Sequence, residues 1–193
     1  MKTTSLKTIK HINYNEMNFN QIFKQTAPEE LTENVFSLVG KELYVITAGK
    51  EDHSNSMLAS GGGMGLLFRK PSAWCTLRSD RYTLEQIQKE QTYTISYFPD
   101  AYREQMFFLG SKSGRDSDKM KEVLLKSIQT PFGNWSFEEA RLIFECKLTQ
   151  ITTPYPDDFY TPEAKDYLKE AYKTESDFRK YVFGEITCVW VKK

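Results

Sequence analysis

The run Asn55-Ser56-Met57-Leu58-Ala59-Ser60-Gly61-Gly62-Gly63-Met64-Gly65 decides how the rest of this 193-residue chain is read. Arg69-Lys70-Pro71 and Arg78-Ser79-Asp80-Arg81-Tyr82-Thr83 follow it. A second segment, Gly110-Ser111-Lys112-Ser113-Gly114-Arg115-Asp116-Ser117-Asp118-Lys119, has the same make-up. Both join bare backbone, hydroxyls and fixed positive charge, which is the chemistry an anionic ligand needs. Glycine lets main-chain N–H groups approach closely, and arginine offers a planar fork of donors matched to phosphate oxygens. Thr83-Leu84-Glu85-Gln86 has capping-box spacing, with Thr as cap and Gln three residues on. Arg78 and Arg81 then precede a helix N-terminus, where partial positive charge and unpaired N–H groups favour phosphate. Plainer readings stand beside this one. They are an ordinary capped helix with solvated arginines, a flexible surface turn at the triple glycine, and a second segment held by its own Asp–Arg pairs.

In this order, the residues from about Leu38 to about Lys119 resemble the flavin reductase-like FMN-binding split-barrel family, and most closely its flavoredoxin-type branch. That branch carries a pattern like N-x-M-T-A-S-W-G-G-x-G, then K-P, then R-P-x-R-Y-T, and finally G-x-K-S-G-R-D-x-D-K. The first match comprises Asn55, Met57, Ala59, Ser60, Gly62, Gly63 and Gly65, followed by Lys70 and Pro71. Arg78, Arg81, Tyr82 and Thr83 match next, then Gly110, Lys112 to Asp116, Asp118 and Lys119. A weaker likeness continues to Phe183-Gly184-Glu185-Ile186, similar to the family's closing G-E-[IV] strand. Gly61 replaces the branch's Trp, Leu58 its Thr and Ser79 its Pro. The His that the family often carries shortly before the G-E strand is absent from Asp177-Phe178-Arg179-Lys180-Tyr181.

The resemblance implies a mainly β protein, an antiparallel split β-barrel of FMN-binding type with helical decorations. It implies a bound FMN, with Arg81, Thr83 and Ser79 near the phosphate and Arg78 a further candidate. Asn55, Ser56, Met57, Ala59 and Ser60 would line the flavin ring or ribityl chain. Ser113, Gly114 and Lys119 would close the site, by touching the flavin or by ordering their loop, and Tyr82 belongs to the same set. Such barrels generally pair as homodimers with flavin near the subunit boundary.

Composition is consistent with this and excludes other classes. At 39% apolar and 14% aromatic residues the chain is expected to fold, and its length suits a single domain over residues 1–193. Lys+Arg and Asp+Glu are equal at 26 each, so no global field favours nucleic acid or an anionic membrane. No apolar run approaches the ~20 residues that span a bilayer, and the polar stretch Met1 to Asn20 lacks a signal peptide's apolar region. A cytoplasmic protein is expected. Cys75, Cys146 and Cys188 have neither C-x-x-C nor metal spacing and read as buried free thiols. His11 and His53 are too isolated for a metal site.

Along the chain, residues 1–27 are expected to be an N-terminal arm, with a strand or arm around Ile9 to Tyr14. Pro28 to Val39 predicts a short helix, and Leu43 to Ala48 a strand leading into a turn at Gly49-Lys50-Glu51-Asp52. Strands are expected at Ser72 to Leu77, Thr92 to Phe98, Arg141 to Ile151 and Tyr181 to Val191. The Thr92 run alternates Tyr93, Ile95 and Tyr97 against Thr92, Thr94 and Ser96. Helices are expected at Leu84 to Glu90, from Pro99-Asp100 to a stop at Gly110, at Asp118 to Ser127, and from a Thr161 cap to about Lys173. Pro154 to Tyr160 reads as a loop.

Two functional classes lead. One is an FMN-dependent oxidoreductase of flavin reductase type, taking electrons from NAD(P)H and passing them to flavin or a partner protein. The other is a flavoredoxin-like FMN carrier without its own nicotinamide site, which the missing His favours. A third is a phosphate- or nucleotide-binding module without redox work.

Overall fold

In the computed structural model, which describes residues 14–50, 53–172 and 179–193, the N-terminal elements are α1 (Tyr14–Ile22), β1 (Phe23–Thr26) and α2 (Val35–Gly40). The sheet begins with β2 (Tyr44–Ala48), β3 (Asn55–Ala59), β4 (Gly62–Leu67) and β5 (Lys70–Arg78). Then come α3 (Tyr82–Glu90), β6 (Thr92–Tyr97), α4 (Arg103–Ser111) and α5 (Lys119–Glu122). A small hairpin, β7 (Ser127–Gln129) and β8 (Trp135–Phe137), precedes β9 (Leu142–Thr152), α6 (Pro162–Ala171) and β10 (Arg179–Lys192). No described helix is long and apolar enough to cross a membrane.

The main sheet runs β3-β2-β6-β9-β10-β5-β4, with β1 added alongside the C-terminal half of β10. Every neighbouring pair is antiparallel. β3 and β4 lie at opposite ends of this path, yet only Ser60 and Gly61 join them. A connection that short reaches about 10 Å, so the sheet must curl until its edges meet. They meet without a shared ladder in that strand order, and the Tyr44 hydroxyl donates to the Gly61 carbonyl at 2.7 Å beside the seam. This is a split barrel. β10 bends at register shifts between Phe183 and Gly184 and between Ile186 and Cys188, passing from β5 to β1 while staying on β9.

Both faces of the sheet are buried. Tyr44, Ile46, Tyr93, Tyr97, Phe144 and Val182 fill the barrel. Phe19, Phe23, Val45, Phe98, Ile143 and Trp190 pack outside it with residues of α4 and the β7–β8 hairpin. The polar side of β6 is therefore dry, contrary to simple alternation. Thr94 Oγ1 donates to the Trp135 carbonyl at 2.7 Å, and the Ser96 and Ser136 hydroxyls bond at 2.8 Å. Glu145, which alternation assigns to solvent, is fully buried. Its carboxylate accepts from Thr130 Oγ1, Asn134 Nδ2 and Trp190 Nε1, fastening the hairpin turn to the barrel.

Local readings are corrected where long-range packing outweighs them. The helix expected over Pro28 to Val39 is a 3-10 turn at Pro28–Glu30 followed by α2. Asn34 separates them by accepting from the Ser37 N–H at 3.1 Å, a cap that competes with helix continuation. Gly110 does not stop α4 but sits inside it, where any β-carbon would press on Leu58. The helix expected over Asp118 to Ser127 lasts only through Glu122. Beyond it Val123 and Leu125 turn inward while Leu124 is exposed, a period of two imposed by the outer core. The expected Ile9 to Tyr14 piece lies outside the described residues except for Tyr14, which opens α1, and Glu51-Asp52 lie outside them too. All three cysteines are buried free thiols. Burial pushes Cys75 and Cys188 up to about 12 and Cys146 well above its ordinary value, which leaves them unreactive.

Candidate functional site

The glycine run is not a ligand loop. Gly62 and Gly63 belong to β4, opposite Cys75 and Trp74 of β5. A β-carbon on Gly63 would stand 2.1 Å from the Trp74 ring, and one on Gly62 2.1 Å from the Trp74 carbonyl. These glycines admit a tryptophan, and the candidate ligand-facing residues lie on β3 just before them.

Three cavities follow one another along β3. The first, about 330 Å³, is polar and lies among His53, Asn55 and residues Gly114 to Met120. The second, about 140 Å³, shares Asn55, Tyr82, Gly114, Arg115 and Lys119 with it and adds residues that include Met57, Asp80, Arg81, Thr83 and Ser113. The third, about 430 Å³, shares Met57 and Arg81 with the second. It is completed by Leu43, Leu58, Ala59, Ser60, Thr76, Arg78, Phe107 and Arg179. Of the residues expected from the sequence, eleven thus lie on one continuous wall. Ser56 faces the other way, its hydroxyl bonded to that of Thr47 at 2.7 Å, because successive strand residues alternate. Ser79 is not among the residues lining these cavities.

The second cavity is built from both motif segments. Arg81 occupies the N-cap of α3, so Tyr82 and Thr83 present N–H groups without helical acceptors. Thr83 does not cap the helix, as its spacing suggests. It is buried within the first turn, and its hydroxyl accepts from Asn55 Nδ2 at 2.7 Å, tying α3 to β3. Gly114 closes against this pair, where a β-carbon would fall 2.0 Å from Asn55 Oδ1 and 3.0 Å from the Tyr82 ring. Lys119 is buried, and its ammonium donates to the Leu109 and Lys112 carbonyls at 2.8 and 2.9 Å. It thereby orders the loop after α4 while facing the cavity.

Charge accumulates here. Arg78 pairs with Asp80 at 2.9 Å and Lys112 with Glu122 at 2.6 Å. Among the described residues Arg81 has no carboxylate partner, and Lys119 meets carbonyl oxygens instead. Burial, and then the Arg81 charge, lower the Lys119 ammonium to about 8. Asp80 also lines this cavity but is paired with Arg78, and two cations beside a helix N-terminus have the chemistry that suits an anion.

Sequence reasoning missed Arg115. Its guanidinium lies over the Tyr82 ring at 5.4 Å, donates to the Asp80 carbonyl at 2.9 Å and pairs with Glu85. The loop is stitched to α3 rather than held by its own Asp–Arg pairs, and Asp118 pairs instead with Lys121. The signal was present, since Arg115 stands in the motif between Gly114 and Asp116. Phe107 and Arg179 on the third cavity were also not expected. Arg179 falls in the stretch that lacks the histidine, of which Asp177 and Phe178 lie outside the described residues.

Solved structures with this architecture are similar across most of the chain. Flavoredoxin from Methanosarcina acetivorans aligns with a TM-score of 0.59 at 15% identity, covering 87% of this chain and 77% of that one. Flavoredoxin of Desulfovibrio vulgaris (Miyazaki F) gives 0.57 at 20% identity, covering 87% and 76%. An FMN-binding domain of a flavin reductases-like enzyme from Shewanella baltica OS155 gives 0.63 at 16%, covering 88% and 76%. At these identities the likeness shows the fold. None of the curated proteins matches the chain in sequence. The family model for the flavin reductase like domain, however, matches residues 36–192, from α2 to the last residue of β10. The seam, the wall along β3 and that match agree, and the chain belongs to the flavin reductase-like domain family.

Proposed function

We propose that the protein binds FMN along β3 and is an oxidoreductase of flavin reductase type, moving electrons from NAD(P)H to flavin or to a partner protein. The observation that carries this is the second cavity, where Arg81, Lys119 and the α3 N-terminus converge without a carboxylate partner for Arg81 among the described residues. Their donor set suits a phosphate. Arg81 offers charge-assisted hydrogen bonds, the Tyr82 and Thr83 N–H groups add backbone donors, and Ser113 adds a hydroxyl. The third cavity, reached past Met57 and Arg81, has the apolar side chains and volume for a flat ring. β3 is the edge of the sheet, so every second N–H and carbonyl turns away from β2 and is available to a ring's polar edge. Bound FMN supplies reversible hydride and single-electron chemistry, and the protein supplies placement and field. Positive charge from Arg81 and Arg78 favours the anionic reduced ring. Met57 and Ala59 exclude water from one side of it. A homodimer with flavin near the subunit boundary belongs to the same proposal.

The chain's two histidines are His11 and His53, so the closing strand brings none to the ring. This favours a second reading, a flavoredoxin-like carrier reduced by another protein. The two readings separate when the FMN-loaded protein is mixed anaerobically with NADH or NADPH. Bleaching at 450 nm within seconds supports the reductase. Bleaching only with dithionite supports the carrier. A protein that stays colourless with added FMN removes both.

A further inference from the structure

We infer that the third cavity holds a second subsite beside the flavin, built to take a small organic carboxylate with an apolar body, and that Arg179 is the residue that selects its charge. This rests on the flavin reading above and goes beyond it by naming the class of the second ligand.

The lining of this cavity is unusual for a chain of zero net charge. Three of the chain's seven arginines, Arg78, Arg81 and Arg179, face it, and no Asp or Glu lines it. Arg179 begins β10 directly opposite Arg78 of β5 in the antiparallel register. Like charges placed so repel each other and oppose strand pairing, so the arrangement costs stability unless an anion joins it. Arg78 has Asp80. Arg179 has no carboxylate partner among the described residues. A fourth guanidinium, Arg103, lies over the Phe107 ring at 5.6 Å.

Charge matching separates this subsite from the phosphate site. A phosphate monoester carries about two negative charges at neutral pH, and Arg81 with Lys119 already match it. Arg179 is then in surplus. The remaining walls decide the ligand's body. Leu43, Leu58 and a half-exposed Phe107 at 49% offer apolar surface at the mouth. A ligand that satisfies both features is flat or apolar along most of its length and anionic at one end, and arginine's fork suits a carboxylate in two-point contact. Inorganic anions would leave the apolar walls unused. Neutral aromatic compounds would leave Arg179 unmatched.

The test uses the FMN-loaded protein and follows the flavin absorbance difference spectrum. Benzoate is titrated against benzyl alcohol, its neutral counterpart, and against NADH, which also carries anionic groups. Benzoate is expected to saturate with at least tenfold higher affinity than benzyl alcohol. Arg179→Gln is expected to lower benzoate affinity at least tenfold while FMN affinity stays within twofold, which also verifies that the variant is folded. Arg179→Lys is expected to recover part of the loss. Equal affinity for benzoate and benzyl alcohol overturns the inference, as does benzoate binding that is unchanged in Arg179→Gln. An NADH affinity that depends on Arg179 while benzoate fails to bind assigns the guanidinium to the dinucleotide and overturns it too. If wild-type protein takes no FMN, the flavin reading fails by itself. Calorimetry of benzoate with the flavin-free protein then decides: heats abolished by Arg179→Gln support the subsite, and equal or absent heats overturn it.

Discussion

Gly114 and Lys119 show how single side chains set the site. The β-carbon of Gly114→Ala would overlap Asn55 Oδ1, part of a buried amide whose Nδ2 already donates to the Thr83 hydroxyl. Relieving that overlap displaces the loop or breaks the Asn55–Thr83 bond, at a cost of about 1–3 kcal/mol. FMN affinity is expected to fall at least tenfold, read by flavin fluorescence quenching, while far-ultraviolet circular dichroism stays unchanged. Lys119 gives a pH signature. Its ammonium is lowered to about 8, with burial as the main cause and Arg81 second. A phosphate has its second pKa near 6, so above neutrality only the lysine changes charge. FMN affinity is therefore expected to decline as pH rises from about 7 to 9, with the midpoint above 8 because the bound dianion favours the ammonium. Lys119→Met is expected to bind weakly and flatly across that range. For the flavin-free protein the sign reverses. The native state gives up this proton near 8 and the unfolded state only near 10.5, so this group makes stability rise with pH between them.

The β7–β8 hairpin shows the same logic at the scale of an element. Two strands of three residues cannot hold together alone in water. They are fixed because Glu145 of β9 takes hydrogen bonds from Thr130 and Asn134 in the turn and from Trp190 of β10. Glu145→Ala would strand two buried donors, on Thr130 and Trp190, and a partly buried one on Asn134, with each buried bond costing about 1–3 kcal/mol when left unmade. A loss of about 3 kcal/mol or more in urea unfolding is expected, with the proposed flavin site affected only through global stability. α6 behaves oppositely. Thr161 caps it by accepting from the Ala164 N–H at 3.3 Å, and Leu168 is its one buried residue among those described. Thr161→Ala is expected to cost about 1 kcal/mol of helix stability and to leave the barrel's unfolding midpoint in place, checked by amide hydrogen exchange of residues 162–170.

For the whole molecule, the seam between β3 and β4 matters most. The candidate site lies along an edge strand that the curled sheet brings beside α3, α4 and the loop after α4, so a ligand there would bridge segments distant in sequence. Binding only the folded state stabilises it by about 2.7 kcal/mol at 100 times Kd. For a chain of this size that corresponds to a rise in Tm of about 5–10 °C. FMN is expected to produce it, and riboflavin, which lacks the phosphate, is expected to produce less than half at equal concentration. Differential scanning calorimetry reads both.

What the sequence determined by itself was chemical and local. The order of the two motifs, the hydroxyls and guanidiniums, the strand at Leu43 to Ala48 and the Thr161 cap are all visible within short windows, because capping and side-chain period are set by neighbours in the chain. Only the tertiary structure decided that the glycines serve Trp74, that Thr83 bonds Asn55 across 28 residues, and that Ser56 faces away from the cavities. It also decided that Glu145 is buried and that Arg179 joins Arg78 and Arg81 around one cavity. Those outcomes depend on which strand edges meet when the sheet curls. That closure is a sum of contacts between residues far apart in the chain, each too weak to leave a mark on the sequence around it.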